Sequence, residues 1–166
     1  DALVGRVRAA DVEAVAVCLL HSYANPVHEK AVGEALSTAL PDTAVVLSHE
    51  VLPEFKEYER MSTTVINAYV QPIMARYLSG LERAIAGEGI ASEVYIMQSN
   101  GGTRGVRAAI ERPVHTILSG PAAGVIGSVA LATAAGEMNT ISVDMGGTSF
   151  DVCLSYEGDI RRSQES

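Results

Sequence analysis

Residues 144–151 read Asp-Met-Gly-Gly-Thr-Ser-Phe-Asp and stand between two runs of strand character, Thr140 to Asp144 and Phe150 to Ser155. A Gly-Gly pair between alternating segments predicts a tight turn at Gly146-Gly147-Thr148, and therefore an antiparallel pair, with Phe150, Val152 and Leu154 on the inward face. The turn's composition also has a chemical meaning. Two residues without a Cβ let backbone N–H groups approach an anion closely, and the hydroxyls of Thr148 and Ser149 add donors at the same place, which is how a phosphate is cradled. A carboxylate next to phosphate is repulsive unless a divalent cation lies between them. Asp144, and with less support Asp151, are therefore expected to hold Mg²⁺ or its waters. The alternative is a plain hairpin, in which the glycines supply positive φ and the aspartates cap the turn.

Just upstream, SGPAAGVIG at residues 119–127 predicts a helix whose small residues, at 120, 124, 127 and 128, share one face. Such a face permits close approach, either at a moving interface between domains or in tight packing against a sheet. No charged residue occurs between Arg112 and Glu137, but Gly120 and Pro121 interrupt this run. A helix from about Pro121 to Ala135 spans roughly 22 Å, short of the ~30 Å hydrocarbon core, so a membrane span is not expected.

The first third has the pattern of a strand–helix–strand unit. Residues 14–20 (AVAVCLL) form a continuous apolar run of strand length. Asn25 and Pro26 supply a cap and a first-turn proline for a helix burying Val27, Ala31, Ala35, Leu36 and Ala39, which Pro41-Asp42 ends. Residues 43–48 (TAVVLS) form the second strand, so a right-handed parallel crossover is expected. Residues 49–61 are charged and look irregular, with Glu54 to Arg60 as a solvated connection. A long helix comes next, capped by Ser62, with Ile66, Tyr69, Ile73, Tyr77, Leu81 and Ile85 on its apolar face, a bend near Asn67 to Gln71 caused by Pro72, and an end at Gly87 and Gly89. Then come a strand at Val94 to Met97, a turn at Asn100-Gly101-Gly102, a helix at Arg104 to Glu111 and a short strand at Val114 to Leu118. The Asn100 turn comes after a strand and is a secondary candidate for lining a cleft.

The 166 residues are 48 % hydrophobic, enough for a real core, and 12 Lys+Arg against 20 Asp+Glu give a net charge of −8. That sign disfavours nucleic acid and anionic membrane as partners. Cys18 and Cys153 lie in apolar or alternating runs, as buried core residues of a reducing compartment do, and a cytoplasmic location is expected. His21, His28, His49 and His115 lack the three- or four-residue spacing of a zinc site and read as surface or capping residues. The chain starts at Asp1 rather than Met, so a piece of a longer protein is expected.

Three motifs, EYERMSTTVINAY at 57–69, SGPAAGV at 119–125 and the 144–151 turn, occur in this order. Together they resemble the hydantoinase A / 5-oxoprolinase family, which includes N-methylhydantoinase A and the acetone carboxylase β subunit, within the actin, Hsp70 and sugar-kinase ATPase superfamily. The resemblance implies an α/β fragment of ribonuclease H-like type, with a mixed sheet and flanking helices. Residues 1–55 would be the end of the family's N-terminal region and 56–166 the first part of its main domain. It further implies ATP and Mg²⁺ as cofactors, phosphate contacts from Gly146, Gly147, Thr148 and Ser149, and a catalytic or metal role for Asp144. Gly120, Pro121 and Gly124 would belong to a hinge, and a B-type hydantoinase subunit would be the partner. The implied reaction is ATP-dependent opening of a small ring such as a hydantoin or 5-oxoproline. The alternatives are activation of a ketone or bicarbonate, as in acetone carboxylase, and a non-enzymatic nucleotide-sensing module. The family's other Gly-Gly-Thr turn and its adenosine-contacting part match nothing in these residues, so half a nucleotide site is implied, and the fragment alone is expected to be inactive.

Overall fold

In a computed structural model, residues 2–160 are described; Asp1 and residues 161–166 lie outside them. Helices and strands alternate along the chain as an α/β protein requires, and they divide into two compact units. Unit 1 holds the chain to Val94 together with Gly105–Val114; unit 2 holds Tyr95–Arg104 and the chain from His115 onward.

Unit 1 opens with a helix that the sequence pattern does not predict, α1 (Ala2–Ala10), then β1 (Ala14–Val17), α2 (Val27–Ala39) and β2 (Ala44–Leu47). The two strands pair in parallel from Ala14 opposite Ala44 to Val17 opposite Leu47, so the expected crossover unit is present. Asn25 accepts the Val27 N–H through Oδ1 at 3.3 Å at the start of α2. The buried face of α2 is not the expected one. It consists of Glu29, Gly33 and Leu36, while Val27 stays 60 % exposed. A Cβ at Gly33 would come within 2.9 Å of both Leu47 methyls, so it is the small residue there that lets α2 lie against β2. Val17, Leu36 and Leu47 form one core cluster and Val46, Val51 and Ala68 a second.

The segment expected to be irregular is largely helical: α3 (Ser48–Val51) comes directly after β2, and α4 (Glu57–Gly87) begins five residues before Ser62. Ser62 is therefore not a cap, and its hydroxyl donates back to the carbonyls of Tyr58 and Glu59 inside the helix. The helix runs through Pro72 to the expected end at Gly87.

Its burial inverts the expectation. Ile66, Tyr69, Ile73 and Tyr77 are all exposed, and the buried residues are Arg60, Thr64, Asn67, Ala68 and Leu78. Specific hydrogen bonds hold this polar stripe inside. The Arg60 guanidinium donates to the Glu54 and Leu19 carbonyls and lies 5.4 Å from the Tyr23 ring centroid. Asn67 donates to the Glu111 carbonyl and accepts the Val114 N–H, at 3.1 Å each, tying α4 to the end of α5 (Val106–Glu111). Period alone cannot distinguish such a satisfied polar stripe from the solvent face of a helix.

The most densely bonded polar group is Glu29, fully buried, whose carboxylate accepts from Leu19 N–H (2.8 Å), Ser48 Oγ (2.5 Å), His49 N–H (3.1 Å) and His49 Nδ1 (2.7 Å). His49 thus sits within this network instead of on the surface. Burial by itself would raise the Glu29 carboxyl; the hydrogen bonds from Ser48, His49 and Leu19 outweigh it and bring it down from 4.5 to about 2. Burial also pushes the nearby Cys18 thiol up, which keeps it protonated, and both cysteines are free.

Further along the chain come two paired strands, β3 (Tyr95–Met97) and β4 (Thr103–Gly105), and, after α5, a 3₁₀ turn at Pro113–Thr116 where a strand was expected; α6 (Ser119–Ala134) then belongs to unit 2. Proline at the first position favours the tight turn over a strand, whose ladder it cannot join as a donor. The last sheet has the order β5 (Thr140–Met145), β6 (Phe150–Tyr156), β7 (Asp159–Ile160) and is antiparallel throughout. Among the described residues, no helix is long and apolar enough to cross a membrane.

Since the Glu29 carboxyl titrates lower when folded than its ordinary 4.5, its contribution to stability is complete above about pH 4.5 and is lost as pH falls toward 2. Glu29→Ala, which strands three donors and the His49 ring, is expected to lower unfolding free energy by about 3 kcal/mol in urea titrations at pH 7. At pH 2 the difference between the two proteins should shrink markedly.

Candidate functional site

The antiparallel register of β5 and β6 places Asp144 directly opposite Asp151 and Met145 opposite Phe150. The four residues Gly146 to Ser149 therefore close the hairpin at its tip, where the Gly146 N–H donates to the Ser149 carbonyl at 3.0 Å. All four are exposed. The expected turn is present, but not for the reason a plain hairpin would need it. The glycines with positive φ are at 89, 101, 136 and 158, so neither Gly146 nor Gly147 adopts a left-handed conformation. A Cβ at Gly147 would meet no atom within 4 Å, and one at Gly146 would make only ordinary contacts at 3.9 Å with Ser149. Within the described residues, neither backbone conformation nor packing demands glycine here. The backbone of Gly146 and Gly147 is open to approach from outside.

The face of the hairpin turned to α6 carries Ser142, Asp151, Cys153 and Ser155, all at least half-buried. Phe150, Val152 and Leu154, expected inward, are 60, 54 and 61 % exposed, alongside Ile141, Val143 and Met145. Alternation fixes which side chains share a face, and it leaves open which face the rest of the chain covers.

A cavity of about 320 Å³ lies between this hairpin and α6, lined by Pro121, Gly124, Val125, Ser128, Ser142, Val143, Asp144 and Asp151. Gly124 is the point where α6 passes the carboxylate: a Cβ there would stand 3.7 Å from Asp144 Oδ2. Gly120 and Gly127 have open space in place of a side chain, so of the small-residue stripe Gly124 and Ser128 face the hairpin. Two carboxylates paired across strands repel each other. Among the described residues no Lys, Arg or His forms an ion pair with either of them. An uncompensated oxygen-donor pair beside a phosphate-type turn has the chemistry that suits Mg²⁺, which keeps several waters and takes few protein ligands. No cluster of three or more His, Cys, Asp or Glu able to hold a metal occurs among the described residues. The sequence motif alone does not announce the cross-strand pairing of Asp144 with Asp151, although the seven-residue offset across a four-residue turn contains it.

Residues 60–166 match the hydantoinase/oxoprolinase family, and residues 1–40 match the hydantoinase/oxoprolinase N-terminal region. Caprolactamase subunit alpha of Pseudomonas jessenii is 41 % identical over 159 residues, 96 % of this chain and 23 % of that protein. The 5-oxoprolinase of Saccharomyces cerevisiae is 37 % identical over 153 residues, 90 % of this chain and 11 % of that protein. The crystal structure of the ATP-dependent caprolactamase superposes with a TM-score of 0.80 at 39 % identity, over 92 % of this chain and 22 % of that one. The nucleotide-free structure of acetone carboxylase superposes with a TM-score of 0.81 at 33 % identity, over 94 % and 22 %. The chain thus spans about a fifth of the caprolactamase subunit, and the fold is the one the motif resemblance implied.

Because Asp144 and Asp151 repel each other across the pair, Asp151→Asn is expected to stabilise the protein by about 0.5 kcal/mol in Mg²⁺-free denaturant titrations. Added Mg²⁺ and nucleotide should reverse the order of the two stabilities.

Proposed function

Because this chain belongs to the hydantoinase/oxoprolinase family, we propose that it is part of an ATP-dependent enzyme that opens small cyclic amides, and that the β5–β6 tip is its phosphate cradle. The observation that carries this reading is the glycine pair at 146–147, which neither φ nor packing explains. Residues 1–55 are read as the end of the N-terminal region and 56–166 as the first part of the main domain, supported by matches at 1–40 and 60–166.

A ring amide is a poor electrophile, and phosphorylation of its carbonyl oxygen by ATP, with release of ADP, turns that oxygen into a leaving group. Water then adds at the carbon, the ring nitrogen takes a proton and leaves as the C–N bond breaks, and the acyl phosphate that results is hydrolysed by a second water to a carboxylate and inorganic phosphate. Most of the protein's work in such a scheme is positioning and electrostatics. The backbone N–H groups of Gly146 and Gly147 and the hydroxyls of Thr148 and Ser149 orient phosphate oxygens at the hairpin tip. Asp144 and Asp151 would hold Mg²⁺ directly or through its waters, and the ion would supply charge neutralisation at the phosphoryl group. Gly124 keeps α6 close to Asp144 without crowding it, and with Gly120 and Pro121 it forms the start of a hinge helix. Support for ATP comes from the caprolactamase and acetone carboxylase structures, both described as ATP-dependent. Since relatives are named as subunits, a B-type hydantoinase subunit is the proposed partner. Activation of a ketone is the second reading, favoured by the TM-score of 0.81 to acetone carboxylase.

The test is ATP hydrolysis by the full-length protein with Mg²⁺ and its partner subunit, across ring amides and small ketones. Stimulation by a ring amide is expected; stimulation by a ketone with bicarbonate alone would establish the second reading, and nucleotide binding without stimulation by either would indicate a sensing module. Asp144→Ala is expected to abolish turnover. Gly147→Ala is expected to weaken ATP binding at least tenfold, measured by calorimetry, while changing unfolding free energy by less than about 0.5 kcal/mol.

A further inference from the structure

A second, larger cavity in unit 2, about 470 Å³, lies between the Ser99–Gly101 turn, the start of α6 and the start of β6. It shares Pro121, Val125 and Asp151 with the cavity that holds Asp144, so Asp151 stands where the two meet. Its volume falls within the range of about 300–1,000 Å³ of small-molecule sites. We propose that this cavity seats the ring amide, and that it selects a neutral saturated ring, of hydantoin or lactam type, over one carrying a carboxylate such as 5-oxoproline. The proposal rests on the ATP-dependent ring-opening reading above.

The wall chemistry carries the argument. Leu118, just before α6, and Ala122, Val125 and Ile126 of α6 make an aliphatic wall. Among the described residues no aromatic ring lines the cavity, so a flat nucleobase has nothing to stack on, whereas a saturated ring needs only aliphatic contact. Asn100 and Asp151 supply polar groups to the lining. Asn100 Oδ1 is engaged by the Gly102 N–H at 2.9 Å, which leaves its amide nitrogen to donate to a carbonyl oxygen. The Asp151 carboxylate is an acceptor for a ring N–H. A cyclic amide presents these two groups on adjacent atoms. Among the described residues no Lys, Arg or His lines the cavity, so a substrate carboxylate seated there would have no cationic side chain to pair with. A ring whose N–H meets Asp151 would bring the adjoining carbonyl close to the cavity of Asp144 and the hairpin tip, the adjacency that phosphoryl transfer to that oxygen requires.

The test uses the full-length protein with its partner subunit, measuring ring-amide-stimulated ATP hydrolysis with hydantoin, ε-caprolactam and 5-oxoproline. The wild-type protein is expected to show kcat/KM at least tenfold higher for a neutral ring than for 5-oxoproline. Ala122→Leu, which fills the cavity with a good helix former, should raise KM for the ring at least tenfold and leave ATP affinity unchanged. Asn100→Asp preserves the Oδ1 acceptor for Gly102 and replaces the amide donor with a charge, and should do the same. Preference for 5-oxoproline, or ring KM unchanged in both variants, would overturn the proposal while the ring-opening reading stands. Absence of stimulation by any ring amide in the wild-type protein would overturn both together.

Discussion

The antiparallel pairing of β5 with β6, from Thr140 opposite Ser155 to Met145 opposite Phe150, is the constraint on which the candidate site depends. It leaves four residues for the tip and brings two carboxylates that are seven positions apart in sequence onto one face. A slip of one residue would turn Asp144 and Asp151 to opposite sides and close the turn around a different set of backbone N–H groups. Gly124 of α6 belongs to the same arrangement, since a Cβ there would stand 3.7 Å from Asp144 Oδ2.

Unit 1 is held together on another principle. Its parallel pair of four-residue strands is too small to be stable by itself, and the groups that join it to its helices are polar and buried: Glu29 bridging β1, α2 and α3, Arg60 reaching back to Leu19, and Asn67 gripping the end of α5. Each has at least two hydrogen-bond partners, although Arg60 Nε is buried without one, so much of the desolvation cost is offset and the geometry is specified more narrowly than apolar contact would specify it. Buried polar residues in α4 leave its aromatic and aliphatic stripe exposed.

Element types were largely legible in the sequence, because strand-length apolar runs, the Asn25-Pro26 start and the Gly-Gly turn each have a local cause. Which face of an element is covered was less so. The stripe from Ile66 to Tyr77 has ideal helical spacing and still faces outward, since hydrogen bonds to Arg60, Thr64 and Asn67 come from residues distant in sequence or from carbonyls no pattern reveals. The same holds for Phe150, Val152 and Leu154. His49, expected at the surface, is the partner of a carboxylate twenty positions away. The Gly-Gly turn was legible because its residues are contiguous; the opposed aspartates depend on a register that only the folded hairpin displays.

The central claim is that the backbone at Gly146 and Gly147 is bare so that phosphate can approach it. The most direct measurement is a crystal structure of the full-length protein with Mg²⁺ and a non-hydrolysable ATP analogue. The account predicts phosphate oxygens within about 3 Å of N–H groups at the hairpin tip and the metal or its waters on Asp144. Nucleotide phosphates bound elsewhere, with the 146–149 tip packed against protein, would contradict it.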